Sequence, residues 1–96
     1  MTTTSLFTLP EARMMIKLLE HGTVTEICGT ITIGNTVHKW EIYKHNPIYF
    51  DGQIRYHAAV GYEMYTTDSP GEAIEEVEAM IAGLREVQAM MDEVTA

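Results

Sequence analysis

The sequence predicts a two-layer α+β domain in the order α-β-β-β-α, an antiparallel three-stranded sheet with both helices on one face. Three observations predict it. Ile27 to His45 alternates as a β-hairpin about Gly34-Asn35, a capping box opens a helix at Thr8, and Ser69-Pro70-Gly71-Glu72 opens a longer one. With 96 residues, 46% hydrophobic and 21% charged, the chain can build one core and not two. It is read as a flexible tail over residues 1–8 followed by a single domain over residues 9–96.

The first helix starts where Thr8 can cap it, with Pro10 in the first turn and Glu11 placed to reach back. Leu9, Ala12, Met15, Ile16 and Leu19 recur at helical spacing, and Gly22 after His21 is a stop signal. His21 suits the negative end of the helix dipole.

The hairpin register follows from its turn. A two-residue turn at Gly34-Asn35, with Gly free to take φ > 0 and Asn tolerant of left-handed angles, pairs Ile33 with Thr36. Counting outward, Ile31 faces His38, Gly29 faces Trp40 and Ile27 faces Ile42 on one side of the pleat. The indole of Trp40 then covers the missing side chain of Gly29. The other side carries Glu26 with Tyr43, Cys28 with Glu41, Thr30 with Lys39 and Thr32 with Val37, and so is expected to be wet.

Asn46-Pro47 interrupts the ladder, because proline donates no N–H. Asp51-Gly52 reads as a second hairpin turn pairing Tyr49 with Ile54, and Gln53 to Tyr65 as one extended strand. A bulge or small loop at Asn46-Pro47 is required to keep Glu63 from facing Trp40. The third strand then turns Ile54, Tyr56, Ala58, Val60, Tyr62 and Met64 inward, and Arg55, His57, Ala59, Glu63 and Tyr65 outward.

The second helix is expected from Pro70 to Glu93, capped by Ser69. Its seam Ala73, Val77, Met80, Leu84, Val87, Met91, Val94 alternates steps of four and three, widened by Ile74 and Ile81. Such a helix is roughly 36 Å long, whereas strands of seven or eight residues span about 25 Å. Its last turns should overhang the sheet, leaving Leu84, Val87, Met91 and Val94 for the first helix or for a second copy of the chain. A homodimer through this helix is one expectation.

Charge is concentrated on that same element. From Thr66 onward eight acidic residues stand against Arg85, a balance of −7, while Met1 to Tyr65 holds six acids and five bases; the whole chain carries −8. Direct nucleic-acid binding, which needs clustered Lys and Arg, is disfavoured, and a protein partner with a basic surface is favoured. Glu72, Glu75, Glu76 and Glu78 have no interleaved Lys or Arg to form i,i+4 pairs, so mutual repulsion is tolerated where it is usually avoided. Runs of this kind are commonly just a solvated face. The seven methionines are mostly core filler, although Met14, Met80, Met90 and Met91 can form an adaptable contact patch.

Catalytic and metal chemistry find little to stand on. His45 and His57 share the polar face with Glu41, Tyr43, Glu63 and Cys28, a set from which a His–carboxylate metal site can be imagined, but no spacing matches a metal motif. They are read as surface histidines, with a small-ligand site near His45 and His57 as the alternative. Cys28 beside Glu41 would have its thiolate disfavoured, and no nucleophile elbow or phosphate loop is present. No catalytic residue, metal or cofactor is expected. No run approaches the roughly 18 apolar residues of a membrane span and Met1 to Thr8 lacks a signal-peptide pattern, so the chain is read as cytoplasmic.

The element order resembles the double-stranded-RNA-binding fold in topology, but the basic start of that family's second helix is replaced by Glu72, Glu75 and Glu76. RNA binding is therefore not carried over. Small size, strong acidity and the absence of a catalytic motif resemble the small phage-encoded anti-CRISPR inhibitors, several of which present acidic surfaces to nucleic-acid-binding clefts. The start Ser69, Pro70, Glu72, Ala73 is similar to the helix start of HicB-type antitoxins, whose first strand differs from Thr23 to Ile33. These resemblances imply a non-enzymatic inhibitor that binds through Glu72, Glu75, Glu76 and Glu78, with the exposed residues Tyr43, His45, Tyr49 and Arg55 also offered to the partner.

Overall fold

The computed structural model describes residues 6–95. Of the expected flexible tail, Met1 to Ser5 lie outside the described residues. Element α1 runs over Leu9–His21, β1 over Glu26–Ile33, β2 over Thr36–Lys44, β3 over Tyr56–Val60, β4 over Glu63–Thr67 and α2 over Pro70–Thr95. The four strands form one antiparallel sheet in the order β1-β2-β3-β4.

Helix α1 begins and ends as its sequence requires. The Thr8 hydroxyl accepts from the Glu11 N–H, the Glu11 carboxylate accepts from the Thr8 N–H at 2.9 Å, and Gly22 closes the helix with φ +81°. The two Thr8 hydrogen bonds also hold the Glu11 carboxyl below its ordinary pKa. Just upstream, the Phe7 N–H donates to the Cys28 carbonyl at 2.9 Å, tying the entry of α1 to the edge strand β1.

The β1–β2 register is the one counted from the turn, from Ile33 opposite Thr36 to Glu26 opposite Tyr43. Gly34 has φ +62°, whereas Asn35 stays outside the left-handed region, so only the first central residue needs glycine's freedom. A Cβ at Gly29 would collide with the Phe7 carbonyl oxygen and the Trp40 ring. Glycine there lets the indole lie flat over the strand.

The sheet has four strands because the expected third strand is two. Gly61 takes φ +61° and turns the chain at Gly61-Tyr62, and its N–H donates to the Lys39 carbonyl at 2.8 Å. Tyr62 is therefore fully exposed on the turn and Met64 faces away from the helices, which corrects their inward assignment. The expected hairpin at Asp51-Gly52 is also corrected. Pro47–Phe50 winds into a single 3-10 turn capped by the Asn46 side chain, and Asp51, at φ +53°, ends it in the left-handed region. Ile54 lies exposed in the loop that follows, not in a strand. The chain regains the sheet where the His45 N–H donates to the Arg55 carbonyl at 2.9 Å, and Trp40 pairs with Val60.

Both helices cover the Trp40 face. Ala12 and Leu19 of α1, Ile27, Trp40, Ile42, Ala58 and Val60 of the sheet, and Ala73, Ile74, Val77 and Ile81 of α2 form one buried core. Burying each large aliphatic chain is worth about 1.5–3 kcal/mol against leaving it exposed. Gln88 lies against the Gly34 turn, so the final turns of α2 project past the sheet as its length predicts. No helix among the described residues is long and apolar enough to cross a membrane.

Candidate functional site

The outward face of α2 and the adjoining edge strand carry the most charge for the fewest counterions. Ser69 Oγ accepts from the Glu72 N–H at 3.1 Å and starts the helix, which sets Glu72 and Glu75 in solvent and Glu76 half-buried toward β4. Tyr65, Thr66, Thr67, Asp68, Glu72, Glu75 and Glu76 line an open acidic groove between β4 and α2. Tyr65 donates to Glu63 at 2.9 Å. That hydrogen bond, with the charges of Glu63 and Glu76, pushes the phenol pKa up. A tyrosine held neutral beside these two carboxylates keeps its hydrogen bond to Glu63 at any physiological pH.

Among the described residues, internal cations answer Asp68 of this groove and Glu78, on α2 outside it. Arg55 pairs with Asp68, and Arg13 of α1 pairs with Glu78 across the helix interface. Glu72, Glu75 and Glu76 form no ion pair among the described residues. Repulsion between surface carboxylates costs a few tenths of a kcal/mol per pair. A ligand cation relieves it.

The residues expected to bind a partner therefore fall into separate places. Glu72, Glu75 and Glu76 share the groove, while Glu78 is turned to Arg13 and Arg55 to Asp68. Tyr49 stands exposed on the 3-10 turn. Tyr43 and His45 are half-buried on the opposite face of the sheet. Sequence reasoning missed Tyr65 as a wall of the groove and Glu63 hydrogen-bonded to it, since both were assigned to the outward face of a single strand; the signal that would have found them is the turn glycine Gly61. Asp68, already counted among the acids, lines it as well.

That opposite face is drier than expected. His57 is 6% exposed and Cys28 2%, which corrects the reading of His57 as a surface histidine. The cause is an aromatic cover. Tyr43 stacks on His57 with ring centres 4.3 Å apart, and His45 meets Phe50 of the 3-10 turn at 4.9 Å and His57 at 5.6 Å. Burial and the neighbouring His57 push the His45 pKa down. Among the described residues Nε2 of His57 has no hydrogen-bond partner, and it lies 3.5 Å from a Glu41 carboxylate oxygen.

Burial, with Glu26 and Glu41 outweighing Lys39, pushes the Cys28 thiol up, so it is a poor nucleophile. Among the described residues no group of three or more His, Cys, Asp and Glu side chains is placed to hold a metal ion.

The half of α2 expected to meet a second copy is exposed in part. Leu84 packs against the core, whereas Val87, Met91 and Val94 are 54%, 58% and 86% exposed, and Met90 joins them at 60%. Comparison of the chain with protein-family models, with curated proteins and with solved structures finds no match.

Proposed function

We propose that this chain is a non-enzymatic, acidic protein-binding inhibitor that occupies a basic, nucleic-acid-binding surface of its partner. The reading rests on one observation: Glu72, Glu75 and Glu76 stand together near Glu63 and Asp68 with no cation paired to them among the described residues. Carboxylates spaced along a helix imitate the negative spacing of a phosphate backbone, and a basic cleft is steered onto them. The class resemblance to phage-encoded anti-CRISPR inhibitors supports the same reading. Glu72, Glu75 and Glu76 carry the contact, and Asp68 contributes once Arg55 is displaced.

The test is capture from host extract on immobilised full chain, at about 50 and 500 mM salt, with and without added duplex nucleic acid. The expected partner is retained at low salt, released at high salt, and displaced by nucleic acid. The triple change Glu72→Gln, Glu75→Gln and Glu76→Gln is expected to lower its affinity at least tenfold, as the loss of about 1.4 kcal/mol implies. A partner that binds the triple variant as well as the native chain, or that ignores salt, sinks the proposal.

A further inference from the structure

The two edges of the sheet are finished differently. On the outer side of β1 the Phe7 N–H reaches the Cys28 carbonyl, so the chain's own entry lies along that edge. In the strand order β1-β2-β3-β4 no strand lies outside β4. The turn decides which of its backbone groups are left open. The two-residue corner Gly61-Tyr62 makes Val60 and Glu63 a hydrogen-bonded pair, and alternation then bonds Ala58 to Tyr65 and Tyr56 to Thr67. The Gly61 N–H, given to the Lys39 carbonyl, fixes the same parity from the side of β2. Met64 and Thr66 therefore turn both their N–H and their C=O groups outward.

This edge lacks the usual guards. Residues Glu63 to Thr67 include no Lys and no Pro, and they pair with β3 without a bulge. Glu63, Met64, Tyr65 and Thr66 are all exposed. Tyr and Thr favour the extended backbone that a further ladder needs.

A strand laid here would direct every second side chain over the trough between β4 and α2. The trough changes character along its length. Beside Thr67 and Tyr65 it is walled by Glu72, Glu75 and Glu76. Beside Glu63 its helical side is Ala79, Gly83 and Leu84, with Glu76 at the margin. A Cβ at Gly83 would meet no atom within 4 Å, so a side chain has room there. Charge complementarity thus calls for cations at the first two positions and an apolar group at the third. A second copy offering its own β4 brings Glu63 and no cation, and nucleic acid brings only more anions.

We infer that the outer edge of β4 takes an extended segment of a partner protein as a fifth, antiparallel strand, with basic side chains opposite Thr67 and Tyr65 and an apolar one opposite Glu63. Antiparallel pairing continues the pattern of the sheet and is the more stable of the two. In that direction the segment reads basic-x-basic-x-apolar from its N-terminus. Main-chain hydrogen bonds at Met64 and Thr66 hold it, and the alternate side chains select it. The inference rests on the proposed function for the role of Glu72, Glu75 and Glu76, and it adds the form of what they meet.

Calorimetric titration of the full chain with the capped peptide Thr-Lys-Thr-Lys-Thr-Leu-Thr, at about 50 mM salt, tests this. Saturable binding is expected, and the amides of Met64 and Thr66 should gain protection from hydrogen exchange while that of Tyr65, already bonded to β3, changes little. N-methylation of the two peptide threonines that flank the second lysine, those opposite Thr66 and Met64, should weaken binding about tenfold, since it removes main-chain donors without touching the protein. N-methylation of the two lysines, whose N–H groups point away from β4, should leave most of the affinity in place. The changes Glu72→Gln, Glu75→Gln and Glu76→Gln should also weaken the peptide. Binding that falls with these glutamines but ignores threonine methylation would overturn the fifth strand and leave the proposed function standing. Binding that needs the main chain but ignores the glutamines would overturn the charge match, and the proposed function with it. No binding, equal binding of the peptide with its sequence reversed, or a chain that dimerises alone with Met64 and Thr66 already protected would overturn the inference as well.

Discussion

The two halves of α2 share one hydrophobic period and meet opposite fates. In the first half Ala73, Ile74, Val77 and Ile81 are buried against the sheet, and the outer side carries Glu72, Glu75 and Glu76. In the second half Val87, Met90, Met91 and Val94 stand in solvent, and the seam's flanks are neutral. The difference teaches that periodicity states which side of a helix is apolar, but only the length of the neighbouring layer decides whether that side is core. It also teaches that the chain keeps its two contact chemistries apart, charge at one end of the rod and apolar surface at the other.

The largest expected effect breaks the comparison at its strongest point. Ile74→Ala, at a residue 1% exposed, should cost about 2–5 kcal/mol in urea denaturation, while Val94→Ala should stay within about 0.5 kcal/mol at dilute concentration. Equal losses at the two sites would mean that the halves do not differ as described. Next in size, Ser69→Ala removes the acceptor for the Glu72 N–H and should lower stability by about 1 kcal/mol, frayed from the acidic end. Hydrogen exchange along α2 checks it, with amides near Glu72 expected to lose protection and those near Leu84 to keep theirs. Smallest is Arg13→Ala, which frees Glu78 from α1. Because both partners are substantially exposed, a loss of about 0.2–1 kcal/mol is expected, shrinking further in high salt.

Much of the fold was legible where local chemistry and residue period agreed. Gly34, Trp40 and Gly29 specify the first hairpin to the residue, and Thr8 with Glu11 and Ser69 with Glu72 mark both helix starts. The second half of the sheet was not. Asp51-Gly52 carries the composition of a hairpin turn but serves to end a 3-10 turn, because Pro47 cannot continue the ladder of β2. Gly61 is the true corner, hidden because Tyr56 to Tyr65 alternates in a way that reads as one strand.

The acidic part of the site was visible as composition. Its shape was not, since the groove exists only once β4 lies beside α2. The dry patch over His57 escaped for a related reason: His45, one of the rings against His57, is itself met by Phe50, on a segment expected to be extended.

Its burial at the back of the sheet turns Cys28 into a stopwatch. The chain's one sulfhydryl is buried on that side, so an alkylating reagent must wait until the structure around it opens. The pace of labelling therefore times the breathing of the back wall.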